Sequence, residues 1–416
     1  MSYPTEKLGK YIDILSGFAF KSKDFSDTGV PVIKIKNVTP PYVSLEDVSY
    51  IPKDIAEQQK KFQVHYNDIL IALTGSHINQ MASVVGRIAR VKFSDKALLN
   101  QRVGKIYTID ATACSLDYVY YFLSQEKVKI ELASKAGGAA NQANISPSDV
   151  KNLHIPFPEI KIQQRIADML LAYDDLIENN QKQIKLLEEA AQRLYREWFV
   201  DLRFPGYETT PIVNGVPEGW MYKTFAEVFD YVRGKSYTSK ELSDTAGVLM
   251  ANLKNIRAFG GYNRNAEKRF TGQYKANQVL SAGDVIMGVT DMTQERRLVG
   301  RVALVPDMGK EMIFSMDLIK LIPKMTNSLF LYSALYYGGL SKQISPLANG
   351  VNVLHLKPEA MMEIKMLIPS ADILERYHQR FSLIVARIEI LQKQCEIAVE
   401  ARDRLLPKLM SGEIEV

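Results

Sequence analysis

Between residues 162 and 200 the chain reads IQQRIADMLLAYDDLIENNQKQIKLLEEAAQRLYREWFV. One row of side chains runs through it: Ile166, Leu170, Tyr173, Ile177, Asn180, Ile184, Leu187, Ala191, Leu194 and Trp198. The steps alternate between 4 and 3 residues, and no Pro or Gly interrupts them. A 3.5-residue repeat of this length predicts a long helix whose seam faces another helix. Adding 211 to each position gives Tyr377, Phe381, Ile384, Ile388, Leu391, Cys395, Ala398, Arg402, Leu405 and Leu409, apolar everywhere except Arg402. Flanking residues obey the same offset: Pro147 maps to Pro358, Pro158 to Pro369, Arg165 to Arg376 and Arg193 to Arg404. The chain is one module written twice. Unpaired, each row would leave a long apolar stripe in water, so the two helices are expected to pair with each other. Asn180 falls opposite Leu391 in the aligned repeat, and a polar residue in such a seam fixes register.

Ahead of the first row the pattern changes to short runs rich in β-branched residues, such as VPVIKIKNV from Val30, DILIALTG from Asp68 and SVVGRIARV from Ser83. Gly, Pro, Asn and Asp punctuate them, which predicts a twisted, partly antiparallel sheet. Residues 116–135 read as one helix, with Tyr120, Leu123 and Ile130 available for a buried face. The second half repeats this order. GFAFKSKDFSDTGVPVIKIKNV from Gly17 matches GKSYTSKELSDTAGVLMANLKNI from Gly234 with one inserted residue, DILIALT matches DVIMGVT from Asp284, and VGRIARV matches VGRVALV from Val299. Between the halves, residues 201–220 are rich in Pro and Gly and read as a linker. Pro407 is expected to bend or end the second long helix near its last turn.

The fold class this predicts is α+β: two similar mixed domains joined by two long antiparallel helices forming an intramolecular coiled coil, with pseudo-two-fold symmetry. The expected segments are 1–160 and 221–370 for the domains, 161–200 and 371–416 for the helices with the C-terminal tail, and 201–220 for the linker.

Composition narrows the class only a little. Of the 416 residues, 46% are hydrophobic and 24% charged, an ordinary globular mixture, and the net charge of +5 permits a nucleic-acid partner without demanding one. Cys114 and Cys395, one per half and outside any CxxC spacing, give neither a disulfide framework nor a thiolate metal site. The N-terminus lacks the basic-then-apolar pattern of a signal peptide, and no apolar run reaches the length of a membrane span. A soluble, cytoplasmic protein is expected.

Catalytic motifs fail on context. Thr39-Pro40-Pro41-Tyr42 resembles an amino-methyltransferase loop, but Thr stands where an amide or carboxylate must accept from the target amine, so a turn is expected. Gly234-Lys235-Ser236 ends like a phosphate-binding loop, yet Phe229 occupies the position of the required upstream Gly. Pro306-Asp307 and Glu363-Ile364-Lys365 hold the parts of a nuclease motif, separated by several elements. The five histidines show no metal-binding spacing, so neither a metal site nor a stand-alone enzyme is expected.

The repeated strands bracket unlike polar inserts: TGSHINQMASVV from Thr74 and TDMTQERRLV from Thr290. Two copies that keep a scaffold and differ at one loop suggest two sites of one kind with different targets. Arg, Lys, Asn, Gln, Ser and Thr match the donor and acceptor edges of bases. The base-reading candidates are therefore Thr74, Ser76, His77, Asn79 and Gln80 in the first copy, and Thr290, Thr293, Gln294, Arg296 and Arg297 in the second. Candidates for neutralising phosphate are Lys21, Lys23, Lys34 and Lys36, and Arg233, Lys235, Lys240 and Lys254. Arg87 and Arg301, each after a repeated Val-Gly, are either phosphate ligands or framework charges. A helix of about 39 residues spans roughly 58 Å, long enough to separate half-sites one DNA turn, roughly 34 Å, apart.

Taken in order, the pieces GFAFKSKDF, IPFPEIKIQQRIADML, RLYREWFVDLRFPG, VPEGW and RLLPKLMSGEI span nearly the whole chain. In them the sequence resembles the DNA specificity subunit of a Type I restriction-modification system. The first copy departs from the pattern, opening at TEKLGKYI without the Pro-Glu-Gly-Trp of the second. The resemblance implies a non-catalytic subunit whose two target-recognition domains each read half of a bipartite site in double-stranded DNA. It further implies helices that hold two methyltransferase subunits carrying S-adenosylmethionine, and a larger assembly with a restriction subunit using ATP and Mg. No membrane partner is implied. The competing expectation is an adaptor whose paired helices bridge proteins without DNA.

Overall fold

The computed structural model describes residues 3–77, 85–137 and 143–416. The chain forms two compact units, Met1–Asn179 with Cys395–Val416, and Asn180–Gln394. The heptad rows are two helices, Ile160–Phe199 and Ala371–Ser411, and each is divided between the units.

In the first unit the helices run antiparallel, with Asp174 opposite Arg402 and the Ile177 carbonyl opposite the Cys395 thiol. Ile166 and Leu170 share a core with Leu406 and Leu409, Ile177 is also buried, and Tyr173 and Leu405 are half-buried. In the second unit the seam is again antiparallel and aromatic: Tyr377 lies 5.9 Å from Trp198 and 4.9 Å from Phe199, and stacks on Phe381 at 5.4 Å between ring centroids. Each such pair adds about 0.5–1.5 kcal/mol beyond area burial. Leu391 is buried, while Ile184, Leu187, Leu194, Ile384 and Ile388 are half-buried along the same seam.

Three local expectations change. Asn180 is buried, and its side-chain amide donates to Gln394 Oε1 at 3.2 Å, so its hydrogen-bond partner is Gln394, three residues beyond the Leu391 that the repeat offset gives. A repeat offset relates equivalent positions; antiparallel packing decides which of them touch. Pro407 does not end the second long helix, which continues to Ser411 because Leu409 and Met410 on the following turn are buried with Leu406 in the first unit's core. Residues 116–135 form two helices, Leu116–Ser124 and Glu126–Lys135, because Gln125 is extended, at ψ 136°. That break leaves Ile130 exposed while Tyr120 and Leu123 are buried.

The stretch 201–220 is packed at both ends, with Phe204 and Trp220 buried and their rings 4.7 Å apart, and a small hairpin pairs Ile212–Val213 with Val216–Pro217.

The two domains repeat one topology. In the first unit a sheet places Ile12–Ser16 beside Val103–Thr108, then Ile69–Ala72, then Ile88–Arg90. In the second unit Phe229–Arg233, Leu318–Pro323, Val285–Gly288 and Val302–Leu304 follow in the same order. The central strands Ile69–Ala72 and Val285–Gly288 are buried throughout, as their unbroken apolar runs require. A second sheet in each unit pairs Val30–Ile33 with Ala97–Leu99, or Val248–Ala251 with Met312–Phe314, in parallel. The first domain's sheet is extended by a hairpin, Val38–Thr39 with Tyr42–Val43, so the Thr-Pro-Pro-Tyr motif is a turn.

Cys114 is a free thiol in the first core, and burial pushes its pKa up to about 12; Cys395 is also free.

Candidate nucleic-acid interface

The polar inserts leave each scaffold at the same place. A two-residue strand, Thr74–Gly75, pairs with Ala143–Asn144 in the first domain, and Thr290–Asp291 pairs with Leu354–His355 in the second. In the second domain that pair gathers two loops on one side: the insert after Thr290–Asp291 and the turn before Leu354–His355. At the far end of each insert the repeated Val-Gly brings the chain back, with Gly86 at φ +84° and Gly300 at φ +71°. A side chain would strain that turn, which accounts for the glycine in both copies.

In the second domain the insert is closed by one carboxylate. Asp291 is 0% exposed. Its Oδ1 accepts from the Thr293 amide at 2.8 Å and hydroxyl at 2.7 Å, and its Oδ2 accepts from the amides of Leu298 at 2.6 Å and Val299 at 3.1 Å. Burial pushes the carboxyl's pKa up, but these donors outweigh burial and hold it below its ordinary value. The Phe259 amide donates to the Arg297 carbonyl at 2.8 Å, and the Gln294 amide reaches the Val351 carbonyl at 2.7 Å. The insert is thus fastened at its base, flank and tip. The first domain has Gly75 where Asp291 stands.

Several base-reading candidates are spent inside the protein. Thr74 is buried and donates to Asn144 Oδ1 at 2.7 Å, and Thr290 is buried and donates to Asp317 Oδ1 at 3.0 Å. These two threonines occupy framework positions, because a hydroxyl at a strand pair is turned toward the opposite strand or the core. Ser76 is buried, His77 is half-buried, and Asn79 and Gln80 lie outside the described residues. Thr293 serves Asp291 and Gln294 serves Val351, which leaves Arg296, half-buried, and Arg297, exposed and paired with Glu295.

The cations divide similarly. Lys21, Lys23, Lys240 and Lys254 are exposed. Lys36 pairs with Asp47 at 2.7 Å and Arg233 with Glu359 at 2.9 Å; hydrogen bonds from the Tyr231 hydroxyl first, then the backbone and Arg233, hold the Glu359 carboxyl down at about 2. Lys34 is half-buried, donates to Ser49 and lies 3.9 Å from the Phe25 ring centroid; desolvation and the neighbouring Lys36 lower its pKa. Lys235 is half-buried above the Phe270 ring. Arg87 donates to the Ile35 carbonyl at 3.0 Å, and Arg301 lies 5.5 Å from the Phe259 ring centroid. Both guanidiniums are half-buried at the base of each insert, with pKa values lowered by desolvation.

Sequence reasoning missed Asp291 and the turn 349–353. The Asp was legible only as the mismatch of Thr-Asp with Thr-Gly, and the turn lies more than fifty residues beyond the insert it touches. Among the described residues no group of three or more His, Cys, Asp and Glu could hold a metal ion. No described helix is long and apolar enough to cross a membrane.

The family model described as the Type I restriction modification DNA specificity domain matches residues 4–189 and again 217–401. The chain is 26% identical over 319 residues to the Type I restriction enzyme MjaIX specificity subunit of Methanocaldococcus jannaschii, covering 72% of this chain and 69% of the relative. It is 23% identical over 391 residues to the MjaVIII specificity subunit of the same organism, covering 90% and 86%. Its fold is similar to the crystal structure of the Type I restriction-modification S subunit from M. genitalium, with a TM-score of 0.62 at 16% identity over 99% of this chain and 96% of that one. With two copies of the family domain over most of its length, on a scaffold whose four central strands repeat in the same order, the chain belongs to the DNA specificity subunits of Type I restriction-modification systems.

Proposed function

We propose that this chain is the sequence-reading, non-catalytic subunit of a Type I methyltransferase and restriction complex, each domain reading one half of a bipartite, asymmetric site in double-stranded DNA. The observation that carries this is the equivalence of the two strand pairs, Thr74–Gly75 with Ala143–Asn144 and Thr290–Asp291 with Leu354–His355, each holding an insert unlike the other. Identical scaffolds with identical loops would read a palindrome; these would not. The exposed Lys21, Lys23, Lys240 and Lys254 supply charge that positions a duplex without reading it.

In this reading the long helices set the spacing of the half-sites and dock two methyltransferase subunits. Leu383, Ile390 and Ile397, seven residues apart on the second helix, are 72%, 48% and 67% exposed, and Met169 and Leu176 are exposed on the first. Helix-spaced apolar side chains left in water suit a partner helix. S-adenosylmethionine is assigned to the methyltransferase partners, and ATP and Mg to a restriction subunit. The complex is assigned to the cytoplasm.

Mapping methylated adenines in cells with and without this chain, and with residues 292–298 exchanged for an unrelated insert, tests the reading. One half of the methylated site should change and the other persist. Methylation independent of the chain would refute it, and capture of the same protein partners with no selective duplex binding would favour an adaptor.

A further inference from the structure

The insert 291–298 does not stand alone in the second domain. The turn 349–353 closes on a pair of backbone hydrogen bonds between Asn349 and His355, at 3.0 and 2.8 Å, and its Val351 carbonyl is held by Gln294. Asp291 closes the insert from inside with four accepted hydrogen bonds, and Arg296 is held at φ +54° between them. Exposed on the two loops are Arg297, Met292 at 78%, Val351 at 87% and Asn352. A charge-assisted clamp of this kind lowers the entropy that the insert would lose on binding.

We infer that the second domain reads its half-site with both loops as one surface, in which Asp291 and Gln294 are positioning residues and Asn352 is a specificity residue contributed by the turn. This rests on the DNA-reading function proposed above. A carboxamide both accepts and donates, matching the N6 and N7 edge of adenine, and an adjacent exposed Val suits a thymine methyl. An adenine-containing step is therefore assigned to the turn, and the purine contact of a guanidinium to the insert. Gly75 stands at the equivalent position and offers no carboxylate, so the loss of Asp291 should blunt one half-site only.

The test uses the full chain assembled with its methyltransferase partners, reading methylated adenines by sequencing and binding to duplexes altered in either half-site. Asp291→Asn keeps the side chain's shape but replaces one accepting oxygen with a donor, so that whichever way the carboxamide turns at least one backbone amide, of Thr293 or of Leu298 and Val299, faces a donor. Discrimination in one half-site should fall about tenfold or more, with the other half-site, binding to unrelated DNA and its salt dependence unchanged. Asn352→Ala should relax a single position in the same half; the residue is exposed, so this variant tests the turn whatever Asp291→Asn does to folding. Asn352→Ala with the site unaltered, or Asp291→Asn blunting both half-sites equally, would overturn the inference while the 292–298 exchange still changes the site and the proposed function stands. An unaltered chain without preference in either half would remove that function, and the inference with it.

Discussion

Replacing Arg402 by Met should destabilise the first unit by about 3–5 kcal/mol, the range for stripping one partner from a buried ion pair. Asp174 is 7% exposed and accepts from Arg402 Nη1 and from the Tyr121 hydroxyl, both at 2.6 Å. Burial lowers the Arg402 pKa, and the hydrogen bonds and charges of Asp174 and Asp403 outweigh it and raise the value overall. The second carboxylate, Asp403, is mostly exposed, so water screens it and it adds little. Met fills the space but leaves the Asp174 carboxylate, among the described residues, hydrogen-bonded to the neutral Tyr121 hydroxyl alone. Adding Asp174→Leu removes that charge and should recover most of the loss, short of about 1–3 kcal/mol for the orphaned hydroxyl of buried Tyr121. Adding Tyr121→Phe should recover that too. The assay is urea unfolding followed by far-UV circular dichroism, with tryptophan fluorescence as an internal reference, because Trp198 and Trp220 both belong to the second unit. A loss under about 1 kcal/mol for Arg402→Met, or a triple variant no more stable than the single one, would refute the account of a desolvated charge pair.

Phe199→Ala, emptying a site between Trp220 at 5.8 Å and Phe330 at 5.1 Å, should cost the second unit about 3–5 kcal/mol and shift the tryptophan emission. Asp291 has a folded pKa depressed below its ordinary 3.8. Its contribution to loop stability is therefore fully present above that value and lost as pH falls through the lower folded one. Hydrogen exchange corrected for intrinsic rates should show the Leu298 and Val299 amides protected at neutral pH and released only in acid; release near neutrality would count against the clamp. Lys21→Ala and Lys23→Ala should each reduce the salt slope of DNA binding by about 1, uniformly across sequences. Lys36→Ala should change it less, because that charge already faces Asp47; equal effects would show that the ion pair opens on DNA.

Periodicity and repetition were sufficient, from sequence alone, for the two long helices, the duplication and the location of the unlike inserts. Ile166 and Leu170, or Tyr377 and Phe381, are buried for the reason their spacing states: a 3.5-residue row lies along one side of a helix whatever surrounds it. The breaks were less legible. Gln125 stops a helix that its neighbours would continue, and Pro407 fails to stop one, since buried side chains downstream outweigh one lost backbone bond. Only tertiary structure decided which polar groups remain available. Thr74 and Thr290 look like base readers beside a polar loop, yet partners at Asn144 and Asp317 consume them; Asp291 and Gln294 are consumed by the loops themselves. Asp174 and Arg402 find each other across 228 residues. A hydrophobic pattern is set by nearest neighbours along the chain, whereas the partner of a buried donor or charge is whatever the fold brings within hydrogen-bond reach, and no local spacing records it.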